Sequence, residues 1–305
     1  MSNKQTGGRR KYYEWHSWLG ILSGLLLFII CWSGSFATIS NELDWLTTPA
    51  MRVTPSAAPA DIEAIHDAVS RTMPGVEILG VEQPLHTGFA ADVIVETGDG
   101  KTRHVYVDPA TLNITGSTSY FNLQRFFRGF HMNFFGLLGW GKYAVCIFAI
   151  PLIASLVTAL VFYKRWWKRF FKLQLGKGSK ALWSSLHKTV GLWSLWFVLA
   201  IGITGVWYLF EASRADVIDG KFSYADSYPN AVNALPQLEI ENPEKLAFDE
   251  LMARAQRAAP ELKIKGVSVD RGGYFYVEGE TDAILVRDRA NKMYLDPRDG
   301  RVVHY

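Results

Sequence analysis

The chain has 305 residues, of which 49% are hydrophobic and 14% aromatic, and a formal net charge of +3. This is more apolar than an ordinary soluble domain requires, so membrane spans are the first expectation. The small positive charge predicts no nucleic-acid partner. Cys31 and Cys146 both fall inside apolar runs and are expected to be packing residues. The sequence lacks the common nucleotide-binding and hydrolase motifs.

Three apolar runs are long enough to cross a bilayer, which takes about 20 residues. They cover residues 17–40, 143–163 (with a start at Phe134 as an alternative) and 189–210, and none contains Lys, Arg, Asp or Glu. The first run is too long for the apolar region of a signal peptide, so we expect a retained span.

Charge predicts the orientation of these spans, because Lys and Arg near span ends stay in the cytoplasm. Residues 164–180 contain seven basic residues and no acidic one, and the leader before Glu14 is also basic. We therefore place the leader, 1–16, and the loop, 164–186, in the cytoplasm. The mixed to acidic segments 41–130 and 211–305 are placed outside.

The first and third spans repeat at an offset of 171 residues. Four positions of the first span, His16, Gly20, Ser33 and Gly34, recur in the third as His187, Gly191, Thr204 and Gly205. The outside segments repeat as well, since "PGVEILGV" from Pro74 matches "PELKIKGV" from Pro260, and "VYVDP" matches "MYLDP". This pattern indicates an internal duplication.

Each outside segment is predicted to be a small α+β domain. Apolar residues at helical spacing predict helices over 61–73 and 248–259. Alternating runs predict strands over 91–97 and 103–108 in the first copy and over 273–279 and 283–296 in the second. "TGDGK" at 97–101 predicts a hairpin turn, and an Asp-Pro pair ends the last strand of each copy. Four histidines in these segments are expected to lie on the surface: His66, His86, His104 and His304.

The predicted fold is a membrane α-helical protein with two small α+β domains. Its boundaries are a leader (1–16), spans at 17–40, 131–163 and 187–210, outside domains at 41–130 and 211–305, and a basic loop (164–186). The second copy reaches Tyr305 before its return span, so a fourth span is expected to be missing from this sequence.

The H-x3-G pattern suggests a haem site. Residues four apart share a helix face, so each imidazole lies beside a position without a side chain, over which a flat ligand fits. Both spans start inside, so His16 and His187 are expected at one depth, where they could bind an iron from its two faces above Gly20 and Gly191. The absence of C-x-x-C-H predicts noncovalent haem. A histidine that caps or snorkels at a span end is the alternative interpretation.

His131 is a candidate haem ligand at the outer side, followed by Gly136 five residues later. Arg125 and Arg128 are candidates to pair with haem propionates, although arginines at this position more often anchor a helix at the membrane interface. No catalytic residue is identified.

Together, "WHSWLGI", "FRGFHMNFFG", "LHKTVGLW" and the two D-P strand ends resemble the PepSY-associated transmembrane proteins, in particular the ferric-siderophore reductases. The resemblance implies a bacterial inner-membrane protein with four spans, periplasmic PepSY-like domains and two haem b groups, the inner held by His16 and His187 and the outer partly by His131. One complete haem site is therefore expected here, and two if a fourth span is present.

The activity implied is electron transfer to a ferric siderophore from an unidentified cytoplasmic or quinol donor, within the lipid bilayer. The alternative function is a membrane-anchored PepSY module without redox activity, which binds or inhibits a protease or assists siderophore uptake.

Overall fold

The computed structural model describes residues 4–55, 61–171, 178–213, 238, 245–269, 272–283 and 289–305. Parts of the predicted basic loop, of the second outside domain and of its last strand run therefore lie outside the described residues. The chain forms two units: Met1–Ile39 with Phe126–Tyr228, called here the helical unit, and Ser40–Arg125 with Pro229–Tyr305, called the sheet unit.

The described α-helices are α1 (Lys4–Thr38), α2 (Ser40–Thr47), α3 (Ile62–Thr72), α4 (Leu123–Asn133), α5 (Gly141–Ile147), α6 (Ala149–Phe162), α7 (Ser179–Trp193), α8 (Leu195–Ser213) and α9 (Phe248–Ala258). The strands are β1 (Glu77–Glu82), β2 (Ala91–Glu96), β3 (Thr102–Val107), β4 (Ile114–Ser119), β5 (Lys263–Val269), β6 (Phe275–Glu280), β7 (Asn291–Leu295) and β8 (Val302–His304). The helices predicted at 61–73 and 248–259 are present within one residue at each end.

Three helical segments of the described residues are long and apolar enough to cross a membrane: Gly8–Thr38, Gly141–Phe162 and Leu195–Ser213. The second of these segments is interrupted by a break in the helix, and another break lies directly before the third segment. Each break has a local cause. Pro151 cannot donate a hydrogen bond to the preceding turn, which accounts for the interruption at Phe148 between α5 and α6. At Ser194, between α7 and α8, the hydroxyl donates to the Val190 carbonyl at 2.8 Å, a contact that bends helices.

The second span begins later than the predicted 131. His131 lies on the separate helix α4, and Phe134–Gly139 forms a 3₁₀ helix before α5. Phe134 and Phe135 have φ values of +47° and +60°, and Gly136 follows at +68°. This left-handed stretch cannot continue an α-helix, so the helix of the second apolar run begins at Gly141 rather than at Phe134.

The strands form one antiparallel sheet in the order β4-β3-β2-β1-β5-β6-β7-β8. One face packs against α3 and α9 and encloses the core. The fully buried side chains of this core include Ile65, Val69, Val81, Val93, Val105, Val277, Met293 and Leu295. The hairpin turn predicted at 97–101 is confirmed, with the Thr97 N–H donating to the Lys101 carbonyl at 3.0 Å.

The two segments predicted as separate domains share this single sheet. β1 pairs with β5. Val81 lies opposite Val267, with Gly80 opposite Ser268 and Glu82 opposite Gly266. Each four-stranded half would otherwise expose the edge formed by β1 or by β5. Pairing of these two strands covers both edges, which explains why the halves join. Gly80 allows the close approach, because a Cβ there would lie 3.1 Å from the Val267 carbonyl oxygen. Both halves have the element order helix and then four strands.

The expectation that His104 is a surface residue is wrong. His104 is 3% exposed, and its Nδ1 donates to both carboxylate oxygens of Asp92, at 2.9 and 2.8 Å. Its Nε2 donates to the Tyr120 carbonyl at 3.2 Å. Burial opposes protonation, but the hydrogen bond and the charge of Asp92 outweigh it and raise the pKa of His104.

Candidate functional site

The helical unit contains a cavity of about 580 Å³ between α1, α6, α7 and the start of α8. Its volume falls in the range of roughly 300 to 1,000 Å³ that is typical of small-molecule and cofactor sites. The α1 wall consists of Tyr13, His16, Ser17, Gly20 and Ile21, and the α7 wall of Ser184, His187, Lys188, Gly191 and Leu192. The second set is the first shifted by 171 residues, so the repeated motif lines one cavity.

His16 and His187 face each other across this site. Their ring centroids are 6.1 Å apart and their planes are inclined by 60°. A histidine nitrogen binds a metal at roughly 2 Å, and the ring centre lies roughly 1 Å behind it, so two histidines on opposite sides of one metal have ring centres roughly 6 Å apart. The observed separation therefore fits a shared metal.

The contact of His16 with Ser155 favours ligation through Nε2. Its Nδ1 lies 3.0 Å from the Ser155 carbonyl oxygen and 3.0 Å from the Ser155 hydroxyl. When Nδ1–H donates to the carbonyl, Nε2 keeps its lone pair, which is the state of a metal-binding imidazole. His187 has no hydrogen-bond acceptor among the described residues, so only one ring of the pair is fixed in this way.

The glycines of the repeated motif divide into two kinds. A Cβ at Gly20 or Gly191 would meet nothing within 4 Å, so these positions border open space in the cavity. A Cβ at Gly34 would lie 2.7 Å from Cε1 of His131, and one at Gly205 would lie 2.8 Å from the Ala149 Cβ. The H-x3-G glycines therefore leave room for a ligand, whereas the other two allow close packing of side chains.

His131 contacts α1 in a similar way to the contact of His16 with α6. Its Nδ1 lies 3.0 Å from the Ile30 carbonyl oxygen and 3.3 Å from the Ser33 hydroxyl, which again leaves Nε2 for a ligand. The structure does not bring His131 to the cavity of His16 and His187.

Neither of the predicted propionate partners lines the cavity. The Arg125 guanidinium stacks on the Tyr120 ring, with 3.5 Å from its carbon to the ring centroid, and Arg128 is exposed. In the described residues, no group of three or more His, Cys, Asp or Glu side chains could hold a metal ion.

Sequence reasoning missed Ser155 and Lys188. Ser155 carries a hydroxyl inside an apolar span, and such a residue is commonly involved in contacts between helices. Lys188 comes directly after His187 in the sequence. It lies four residues after Ser184, so both side chains are on the same face of α7 and line the cavity.

The helices and the sheet define a membrane protein with a histidine-lined cavity and a separate antiparallel-sheet unit. The chain belongs to the family described as the PepSY-associated TM region, whose model matches residues 13–303. This confirms the family predicted from the motifs. No curated relative matches the chain significantly.

Proposed function

We propose that this chain binds haem b between His16 and His187 and transfers electrons across the bacterial inner membrane to ferric iron in a periplasmic siderophore. The observation that carries the proposal is that one cavity is lined by both histidines and by Gly20 and Gly191, the glycines that leave room for a ligand. The siderophore as acceptor is supported by the resemblance of the sequence motifs, and the donor is a cytoplasmic reductant or a quinol.

The residues of the cavity suit this task. His16 and His187 would each hold the iron through a ring nitrogen, and the Ser155 carbonyl orients the His16 ring. Leucines of α6, including Leu152 and Leu156, line the remaining wall and exclude water. Bound haem would supply one-electron chemistry, with a potential that depends on the residues that hold it.

We further propose that the chain arose by duplication and that the sheet unit lies on the periplasmic side. The duplication is supported by the common element order of the two halves and by equivalent bulges, at Ile78/Gly80 in β1 and Ile264/Gly266 in β5. The placement is supported by the basic residues that flank the spans. The described residues contain one histidine pair, so we expect about one haem per 305-residue chain.

The first test is the visible spectrum of the purified full chain, expressed with an adequate haem supply. A reduced-minus-oxidised difference of b type is expected, and addition of a ferric siderophore to the reduced protein should reoxidise it. A colourless preparation would contradict the proposal and favour the interaction module without redox activity.

The second test removes the axial ligands. Because loss of either nitrogen leaves the iron one ligand short in a site built for two, His187→Ala should lose haem as completely as His16→Ala. His86→Ala changes an exposed histidine of the sheet unit and is the matched control. Pyridine haemochrome content per chain is the measurement, and full content in His187→Ala would contradict the assignment.

A further inference from the structure

The cavity of the helical unit is polar at one end. On α7, Ser184, His187 and Lys188 come before Gly191 and Leu192, and all five line the cavity. The wall of α1 has the same order at the 171-residue offset. A ligand that occupies the whole cavity therefore needs one polar edge and one apolar edge.

Lys188 is the charged residue of this polar end. The other described lining residues include no Asp or Glu. Among the described residues, no carboxylate forms an ion pair with the Lys188 ammonium group. A cation beside an apolar cavity without an acidic neighbour is suited to an anionic group of the ligand, because pairing offsets the cost of placing a carboxylate near apolar surface.

We infer that Lys188 pairs with a carboxylate of the ligand in this cavity and orients the charged edge of that ligand toward the polar end. The inference rests on the proposed haem function, since haem b carries its two carboxylates on one edge. Arg125 and Arg128, the candidates suggested beside His131, do not line this cavity.

The four-carbon stem of lysine supports this role. It packs along apolar surface while its ammonium group stays at the polar boundary, and it meets an anion as a point charge without demanding a fixed plane. Arginine at position 188 would keep the charge, whereas glutamine would keep much of the length and lose the charge. Lys180 lies on the same helix but does not line the cavity, so it offers a matched control.

The test compares two ligands that differ only in the carboxylates. The haem-free full chain, in an uncharged detergent that excludes lipid headgroups, is titrated with haem b and with haem dimethyl ester, and the dissociation constants are read from the visible spectrum. We expect the wild type and Lys180→Gln to bind haem b roughly five- to tenfold more tightly than the ester. Lys188→Gln should lose this preference, and Lys188→Arg should largely keep it.

The other outcomes separate the two proposals. If both haems bind but Lys188→Gln keeps the full preference of the wild type, or if the wild type shows no preference, the role of Lys188 is wrong and the haem site stands. If the wild type binds neither haem, the proposed function and the inference both fail.

Discussion

Glycine serves two opposite purposes in the helical unit. At Gly34 the missing side chain lets the His131 ring lie against α1, so the space is filled by protein. At Gly20 and Gly191 the space is open and belongs to the cavity. The residue type is the same, and its role follows from what lies opposite.

A leucine at the open positions should block the ligand. Gly20→Leu and Gly191→Leu place a branched side chain into the cavity, so we expect haem content to fall below roughly a third of the wild-type value. Gly24→Leu is the matched control, because Gly24 lies one turn further along α1, also meets nothing within 4 Å and does not line the cavity. Pyridine haemochrome content measures the outcome. Full occupancy in the Gly20 and Gly191 variants would disprove the clearance argument.

At the residue scale, the repeated motif predicted His16 and His187 at one depth, and the structure places both histidines and both H-x3-G glycines around one cavity. Ser155 could not be predicted, because its contact with His16 depends on which helix packs beside α1 and at what height. A periodic apolar sequence shows that α6 is a helix, but several rotations of that helix would bury similar apolar surface.

His104 on strand β3 is buried in the sheet unit, and both of its ring nitrogens donate hydrogen bonds. His104 connects Asp92 on β2 with the Tyr120 carbonyl just after β4. The two contacts need a protonated ring, because each nitrogen must carry a hydrogen. The stability of this part of the sheet is therefore coupled to pH.

The sign of the coupling follows from the raised pKa of His104. The stability that the His104 contacts contribute is fully present below the pKa of His104 in the unfolded chain, about 6.5. It is lost as the pH rises through the higher pKa of His104 in the folded chain. We expect the hydrogen-exchange protection factors of β3, measured on the full chain in detergent, to decrease above about pH 6.5. Protection factors remove the intrinsic pH dependence of exchange.

His104→Gln should abolish this pH dependence and reduce protection at low pH, since glutamine cannot form both charge-assisted contacts. His86→Gln is the control, because the His86 side chain is 62% exposed. An unchanged pH profile in His104→Gln would show that another group is responsible.

At the element scale, the two helices of the sheet unit, α3 and α9, and the hairpin turn were predicted with bounds close to those observed. The shift in the start of the second span had a local cause that the apolar pattern conceals. "FFGLLG" is apolar enough for a span, but the positive φ values of Phe134 and Phe135 interrupt the helix. Backbone conformation at such a turn depends on packing, which hydropathy does not report.

At the scale of the whole molecule, the two halves of the sheet unit depend on each other. β1 and β5 pair around Val81 and Val267. Arg289 adds an ion pair across the halves, with 2.7 Å from its Nη1 to Glu82, and it also contacts Glu278 of its own half at 3.3 Å. Each half thus completes the hydrogen bonding of the other, which favours cooperative unfolding of the pair.

The orientation proposed for the chain can be tested with a reporter that is active only outside the cytoplasm. Fusions near Ser117, in β4, and near Ser227, outside the described residues, should be active because the basic segments hold the opposite ends of the spans inside. A fusion near Gly178, at the start of α7, should be inactive. Activity at Gly178 would reverse the proposed orientation of the site.

The sequence by itself determined the features that depend on local pattern and repetition: the three apolar helices, the helix-plus-strand order of both outside segments, and the paired H-x3-G motifs. These depend on spacing along one chain, which composition and periodicity record directly. Only the tertiary structure decided that β1 and β5 join two segments into one sheet, that His104 is buried against Asp92, and that Ser155 and Lys188 share the cavity with the histidine pair. Those are contacts between residues far apart in sequence, and they are selected by the packing of whole elements rather than by any local pattern.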